Sequence, residues 1–270
     1  LVARGWGKCC IVGAGSLHVD IPQKMMKVGD KVVREGDTIT LNGTKGRAYV
    51  GALAMISGAE DDKNFADFMK LCDSLRRLKI RTNAETPKDA AKAVQFGAEG
   101  IGLFRTEHMF YGENSEQPLF YLRKMIIADT EEKRRAALDE LFPFVKGFIK
   151  KTIEAMGGRP VTIRLLDPPL HEFVPENPEE RARLAESLGI SVEKLNSRAE
   201  GLHETNPMMG HRGVRLGISY PEVSEMQIRA ILEGSAELIK EGKKAFPEIM
   251  IPVVCDVAEF RNQAELVKKV

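Results

Sequence analysis

Arginines mark the places where this sequence could do chemistry. Short apolar runs lead into Arg105-Thr106-Glu107-His108, into Arg164 with Asp167-Pro168-Pro169, and into Asn206 with His211, Arg212 and Arg215. A guanidinium is a permanent cation whose forked donors match the oxygens of phosphate or carboxylate. Three arginine-bearing segments meeting at one mouth would repel one another unless something negative lay between them. The fitting chemistry is binding of a multiply charged anion, phosphoryl transfer above all, where cations offset charge on the equatorial oxygens. Plainer readings stand beside it. Arg105 and Glu107 could form a structural ion pair, and Arg164, inside an apolar run, needs a partner such as Asp167. His211 and Arg212 could pave a loop between glycines, His108 and His171 suit solvated loops, and Arg81 beside Asn83 suits a rim.

Strands and helices have to bring these residues together. From residue 80 the rhythm is strand, helix, strand, with strands expected at 80–83, 100–104, 161–165, 209–216 and 249–254. Thr86-Pro87-Lys88-Asp89 supplies an N-cap, a proline at the first helical position and an early carboxylate. Leu138, Leu141, Val145, Phe148, Ile149 and Ile153 stripe a long helix over 129–156, which Pro143 should kink. A polar excursion over 168–206 carries helical pieces of its own, and Pro221-Glu222 opens a helix reaching about residue 241. Alternating β and α units imply a parallel sheet, and in such sheets the carboxyl ends of the strands share the face where sites are built. A complete (β/α)8 barrel takes about 250 residues, so five units read as part of one. An open doubly wound sheet is the alternative.

Ahead of this lies a different body. Residues 1–57 are Gly-rich and β-type: Cys9–Val12 is an apolar run closed by Gly13-Ala14-Gly15, and the stretch 38–50, with Asn42-Gly43 and Gly46, predicts a hairpin. Over 58–79, Phe65, Phe68, Met69, Cys72, Leu75 and Leu78 recur at helical spacing, which predicts a linking helix.

Composition excludes several classes. The 270 residues carry 40 Lys and Arg against 39 Asp and Glu, so no whole-protein field draws in nucleic acid or an acidic membrane. No stretch approaches the roughly 20 apolar residues of a membrane span. Cys9, Cys10, Cys72 and Cys255 show no metal-ligand spacing, and the adjacent pair suits small core residues in a reducing compartment. Two glycine motifs imitate nucleotide fingerprints. Gly13-Ala14-Gly15 is followed by His18 and Pro22 rather than a helix, and Gly100-Ile101-Gly102 meets Arg105 where a third glycine would stand.

Three runs together carry a resemblance. They are Gly100-Ile101-Gly102-Leu103-Phe104-Arg105-Thr106-Glu107-His108-Met109-Phe110, then Arg164-Leu165-Leu166-Asp167-Pro168-Pro169-Leu170-His171-Glu172-Phe173, then Asn206-Pro207-Met208-Met209-Gly210-His211-Arg212-Gly213-Val214-Arg215-Leu216-Gly217. The chain resembles the PEP-utilising phosphotransferases, which include phosphoenolpyruvate (PEP) synthase and enzyme I of the sugar phosphotransferase system. The first two runs point to the pyruvate, phosphate dikinase branch. The resemblance implies an internal piece: residues 1–57 as the end of a swivelling phosphohistidine domain, 58–79 as a linker helix, and 80–270 as the first part of a PEP/pyruvate (β/α)8 barrel. It implies a histidine phosphorylated from ATP and phosphate, which then exchanges the phosphoryl group with pyruvate. Arg105, Arg164 and Arg212 would hold the phosphoryl and carboxylate groups, with Asp167 orienting Arg164. The phosphorylated histidine is expected upstream of Leu1, and the magnesium-binding carboxylates and proton-donating cysteine beyond Val270, so the piece alone should be inactive. Also implied are a homodimer, no nucleic-acid or membrane partner, and a cytoplasmic or plastid-stromal setting.

Overall fold

Turn chemistry builds the first of two bodies. The structure, a computed structural model, describes residue 3 and residues 8–55, 63–112, 114–204 and 206–270, and its chain divides into the units Leu1–Arg77 and Leu78–Val270. In the first unit, β1 (His18–Asp20), β2 (Met25–Val28) and β3 (Lys31–Arg34) form an antiparallel meander. Gly29, at φ +56°, opens the two-residue turn between β2 and β3, a position that favours glycine. β4 (Ile39–Asn42) and β5 (Arg47–Val50) form the hairpin predicted over 38–50, and Asn42 Oδ1 accepts from the Lys45 amide at 3.0 Å to shape its loop. Cys9–Val12 is not a strand. Cys9 and Cys10 are exposed rather than core, and the Cys9 thiol turns to the Leu41 carbonyl at 3.7 Å instead of entering a ladder. Helix α1 spans Lys63–Leu75 with none of its residues buried, and Phe65 and Phe68 are exposed. The expected start of this helix at 58–62 falls outside the described residues.

The second unit is a four-stranded parallel sheet with helices. Its strands are β6 (Thr82–Asn83), β7 (Ile101–Arg105), β8 (Pro160–Arg164) and β9 (Phe246–Met250), hydrogen-bonded in that sequential order. Helix α2 (Pro87–Gln95) starts as its sequence dictates, since Thr86 Oγ1 accepts from the Asp89 amide at 3.1 Å. Helix α3 (Glu116–Ile127) was not visible as a pattern, because Pro118 and Arg123 interrupt its apolar spacing. Helix α4 (Glu131–Ala155) carries the predicted stripe, runs through Pro143, and buries Leu138, Leu141, Val145, Ile149 and Ile153. Helices α5 (Pro178–Leu188) and α6 (Val192–Leu202) fill the polar excursion, α7 (Val214–Ser219) and α8 (Pro221–Lys240) follow, and α9 (Val257–Lys269) begins with a capping box of Asp256 and Glu259.

Two strand expectations need correction. Residues 209–216 form no strand: they are a turn leading into α7. Gly213 stands at φ +56° and ψ −129°, a conformation closed to other residues, so the alternation around Val214 and Leu216 is that of a short helix. The last strand lies at Phe246–Met250, starting three residues and ending four residues ahead of the predicted 249–254, because Pro252 and left-handed Val253 (φ 58°) break the ladder there.

Packing fixes the sheet. Val161 and Ile163 of β8 and Ile101 and Phe104 of β7 are fully buried among α4 and α8 side chains such as Ile149, Ile153, Ile228 and Ile231. Truncating Phe104 to Ala would cost about 3–5 kcal/mol. Alternate β8 residues, Thr162 and Arg164, are only half-buried, and so is Met250 beside exposed Glu248 on β9. Arg81 lies across this second face, donating to Thr162 Oγ1 at 3.1 Å and pairing with Glu248. Arg81 and Thr162, the donors, hold the Glu248 carboxyl below the usual carboxylate range. The Gly-x-Gly at the start of β7 serves this packing: a Cβ on Gly100, just before the strand, would meet the Pro160 carbonyl at 2.9 Å, and one on Gly102 would meet the Arg81 Cβ at 3.3 Å.

Candidate functional site

Arg105 ends β7 and Arg164 ends β8, and the two are register partners across the parallel ladder. Both therefore stand at the carboxyl end of the sheet. Asp167 lies three residues past Arg164, with Oδ2 at 2.9 Å from Arg164 Nη1 and 2.6 Å from Arg212 Nη2. Arg212 Nε also donates to Asp167 Oδ1 at 3.3 Å. One carboxylate thus bridges two arginines from separate segments, and its side chain is only 5 % exposed.

The structure supplies two further carboxylates that sequence reasoning placed wrongly or missed. Arg105 pairs with Glu85, which also accepts from the Arg105 amide at 3.0 Å, and not with Glu107. Glu107 pairs instead with Arg164. A strand continued past Arg105 would put residue 107 on the same side, but Thr106–Phe110 is a 3-10 turn that carries Glu107 back over β8. The arginines are therefore already compensated by Glu85, Glu107 and Asp167, and a bound anion is not needed to hold them together. Within this cluster Glu107 Oε2 and Arg164 Nε are buried and have no hydrogen-bond partner.

Beneath the charges lies a buried polar clamp. Thr106 Oγ1 donates to the Arg164 carbonyl at 3.1 Å, Gln227 Nε2 donates to Thr106 Oγ1 at 3.0 Å, and Gln227 Oε1 accepts from the Leu166 amide at 2.9 Å. Gln227, on α8, thus ties the ends of β7 and β8 to one helix; no sequence pattern pointed to it. Close by, Tyr111 stacks on Phe173, and burial, with Glu172 and then Glu107 nearby, pushes its phenol up.

Arg212 arrives on the segment Asn206–Gly213. Gly213 N donates to the Asp167 carbonyl at 3.2 Å and Val214 N to the Pro252 carbonyl at 2.9 Å, which pins the segment to the ends of β8 and β9. Arg215 Nη1 donates to the carbonyls of Met209 at 2.8 Å and Gly210 at 3.0 Å. Asn83 ends β6 on the same edge. His108 is exposed, whereas His171 is half-buried and faces His203, their rings 5.5 Å apart. Cys255 is exposed, with Arg215 Nη2 at 3.6 Å. Among the described residues no group of three or more His, Cys, Asp or Glu side chains is gathered to hold a metal ion, and Glu107 and Asp167 are spent on arginines. The cluster does not fit a magnesium site.

Residues 59–270 match the family described as "PEP-utilising enzyme, PEP-binding domain". The chain belongs to the PEP-utilising enzyme family. Over its full length it is similar to proteins named pyruvate, phosphate dikinase: 46% identical to the chloroplastic dikinase 1 of Arabidopsis thaliana, 45% to that of Clostridium symbiosum and 48% to that of Giardia intestinalis. The chain spans 28% of the Arabidopsis protein and 30% of the other two. No helix among the described residues is long and apolar enough to cross a membrane.

Proposed function

We propose that this chain is the part of a pyruvate, phosphate dikinase in which Arg105, Arg164 and Arg212 receive the phosphoryl and carboxylate groups of PEP or pyruvate. The observation that carries the reading is that Arg164 and Arg212, from separate segments, share the Asp167 carboxylate at the carboxyl end of one parallel sheet, with Arg105 as the register partner of Arg164. Glu85, Glu107 and Asp167 orient these groups in advance, so little reorganisation is needed when an anion arrives. The unpartnered Arg164 Nε supports a donor held in reserve for such a guest. Around a transferring phosphoryl group these cations would offset charge on the equatorial oxygens.

The second unit is proposed as the opening part of a (β/α)8 barrel. Sequential strand order favours single winding over the reversed order of a doubly wound sheet. The half-open polar face with Arg81, Thr162 and Glu248 suits a barrel interior, since parallel sheets are covered on both faces. Residues 1–57 are proposed as the end of a phosphohistidine domain and 58–79 as the link to the barrel. Conversion of ATP, phosphate and pyruvate into PEP, AMP and pyrophosphate, through a homodimer in the cytoplasm or plastid stroma, belongs to the whole enzyme, and this chain alone is inactive. Magnesium belongs there too, outside the arginine cluster.

The test is Arg105→Ala in the full-length enzyme. Exchange between PEP and pyruvate should fall by roughly a hundredfold or more, the scale of losing one transition-state donor, while ATP-dependent phosphorylation of the histidine stays intact. Loss of both half-reactions together would make Arg105 a structural residue.

A further inference from the structure

Arg212 is the one arginine of the cluster that no strand carries, so something else must fix it. Besides Arg215, the segment Asn206–Gly213 is held by Glu204, whose Oε1 accepts from the His211 amide at 2.8 Å, one residue before Arg212. The Glu204 carboxylate is half-buried and pairs with no cation among the described residues. It lies flat against Gly210: a Cβ added there would stand 2.6 Å from Oε2 and 2.5 Å from Cδ. A carboxylate that spends its charge on one loop amide, beside a glycine that leaves room for it, is a device for setting the path of the backbone.

We propose that Glu204 is a positioning residue for Arg212, acting through the His211 amide, with Gly210 as the space it occupies. This deepens the PEP/pyruvate reading above and rests on it. Without the acceptor, the His211 peptide is free to turn and the guanidinium leaves its place on Asp167. The role needs an acceptor oxygen and not a negative charge, so the amide of glutamine should serve. Displacement of a binding group by about 1 Å can cost on the order of a hundredfold.

The experiment measures KM and kcat for PEP–pyruvate exchange in the full-length enzyme carrying Glu204→Ala, Glu204→Gln, Gly210→Ala, Arg212→Ala or the double change Glu204→Ala with Gly210→Ala. ATP-dependent histidine phosphorylation is the control for folding. Glu204→Ala should raise KM for PEP roughly tenfold or more, approaching Arg212→Ala, and Glu204→Gln should stay close to the parent. Gly210→Ala should be harmful with Glu204 present and much milder once Glu204 is alanine, because the three atoms nearest the added methyl all belong to the truncated part of Glu204. A defect in Arg212→Ala with none in Glu204→Ala would overturn the proposal and leave the PEP reading standing. Equal defects in Glu204→Ala and Glu204→Gln would overturn it as well, by showing that charge is what matters. No defect in Arg212→Ala would sink the PEP reading itself. Should Glu204→Ala fail to fold, the Gly210→Ala and Glu204→Gln pair decides: a defect in the first and not the second supports the proposal, and any other pattern contradicts it.

Discussion

Two arginines share the single charge of Asp167, and Arg164 has Glu107 besides. Arg164 and Arg212 both lie against its carboxylate, and all three side chains are less than one-fifth exposed. Asp167→Asn would leave half-buried Arg212 on a neutral amide and Arg164 with Glu107 alone, and breaking such a pair is strongly unfavourable. Urea unfolding should show a loss on the order of 3 kcal/mol; a loss below about 0.5 kcal/mol, the range of ordinary surface changes, would mean the bridge carries nothing. The positions of Arg105 and Arg164 at strand ends were legible from the short apolar runs before them, and Asp167 from the need of a cation in such a run for a partner, whereas Arg212 was singled out by the family resemblance. Their partners were harder to read. Glu85 lies twenty residues from Arg105 in sequence, and Glu107 changes sides through a 3-10 turn that a strand pattern cannot announce. Gln227 and Glu204 act through backbone amides, and such roles leave no mark on spacing.

Helices α4 and α8 are stitched together along their exposed edges. Lys146 and Lys150 reach Glu237 at 2.8 and 2.9 Å, and Lys150 also reaches Glu241 at 2.6 Å. The lysines pull the Glu237 carboxyl down to about 2, while Glu241 and then Glu237 push the Lys150 ammonium up to about 12. A depressed carboxyl stabilises the fold above its unfolded value near 4.5, and the benefit fades as pH falls through about 2. Melting temperatures of the parent and of Glu237→Gln should therefore differ above pH ~4.5, converge toward pH ~2, and converge also in high salt, since the pair is exposed. A gap that persists unchanged to low pH would show that the effect is packing. Helix α4 was legible from its apolar stripe, α8 from Pro221-Glu222 at its start, and the shorter α2 from its Thr86 cap. The segment 209–216 was not, because apolar alternation over four residues suits a strand or a single helical turn, and only the conformation of Gly213 separates them.

The whole molecule holds two bodies of unequal finish. The second unit has a continuous buried core, whereas the described residues of the first are all exposed or half-buried. The second unit also presents an open polar sheet face, so within the described residues the parallel sheet is covered on one side only. The chain spans 28–30% of the length of the dikinases it resembles. The α/β class and the parallel sheet followed from the alternation of units. Barrel closure could not be read in this way, since it is a property of strands that must meet at both edges. The account rests on the arginine cluster receiving one multiply negative guest. The most direct measurement is a crystal structure of the full-length enzyme with PEP bound. The phosphoryl and carboxylate oxygens should lie within hydrogen-bond distance of Arg105, Arg164 and Arg212; PEP bound elsewhere, with all three guanidinium groups still closed on Glu85, Glu107 and Asp167, would contradict it.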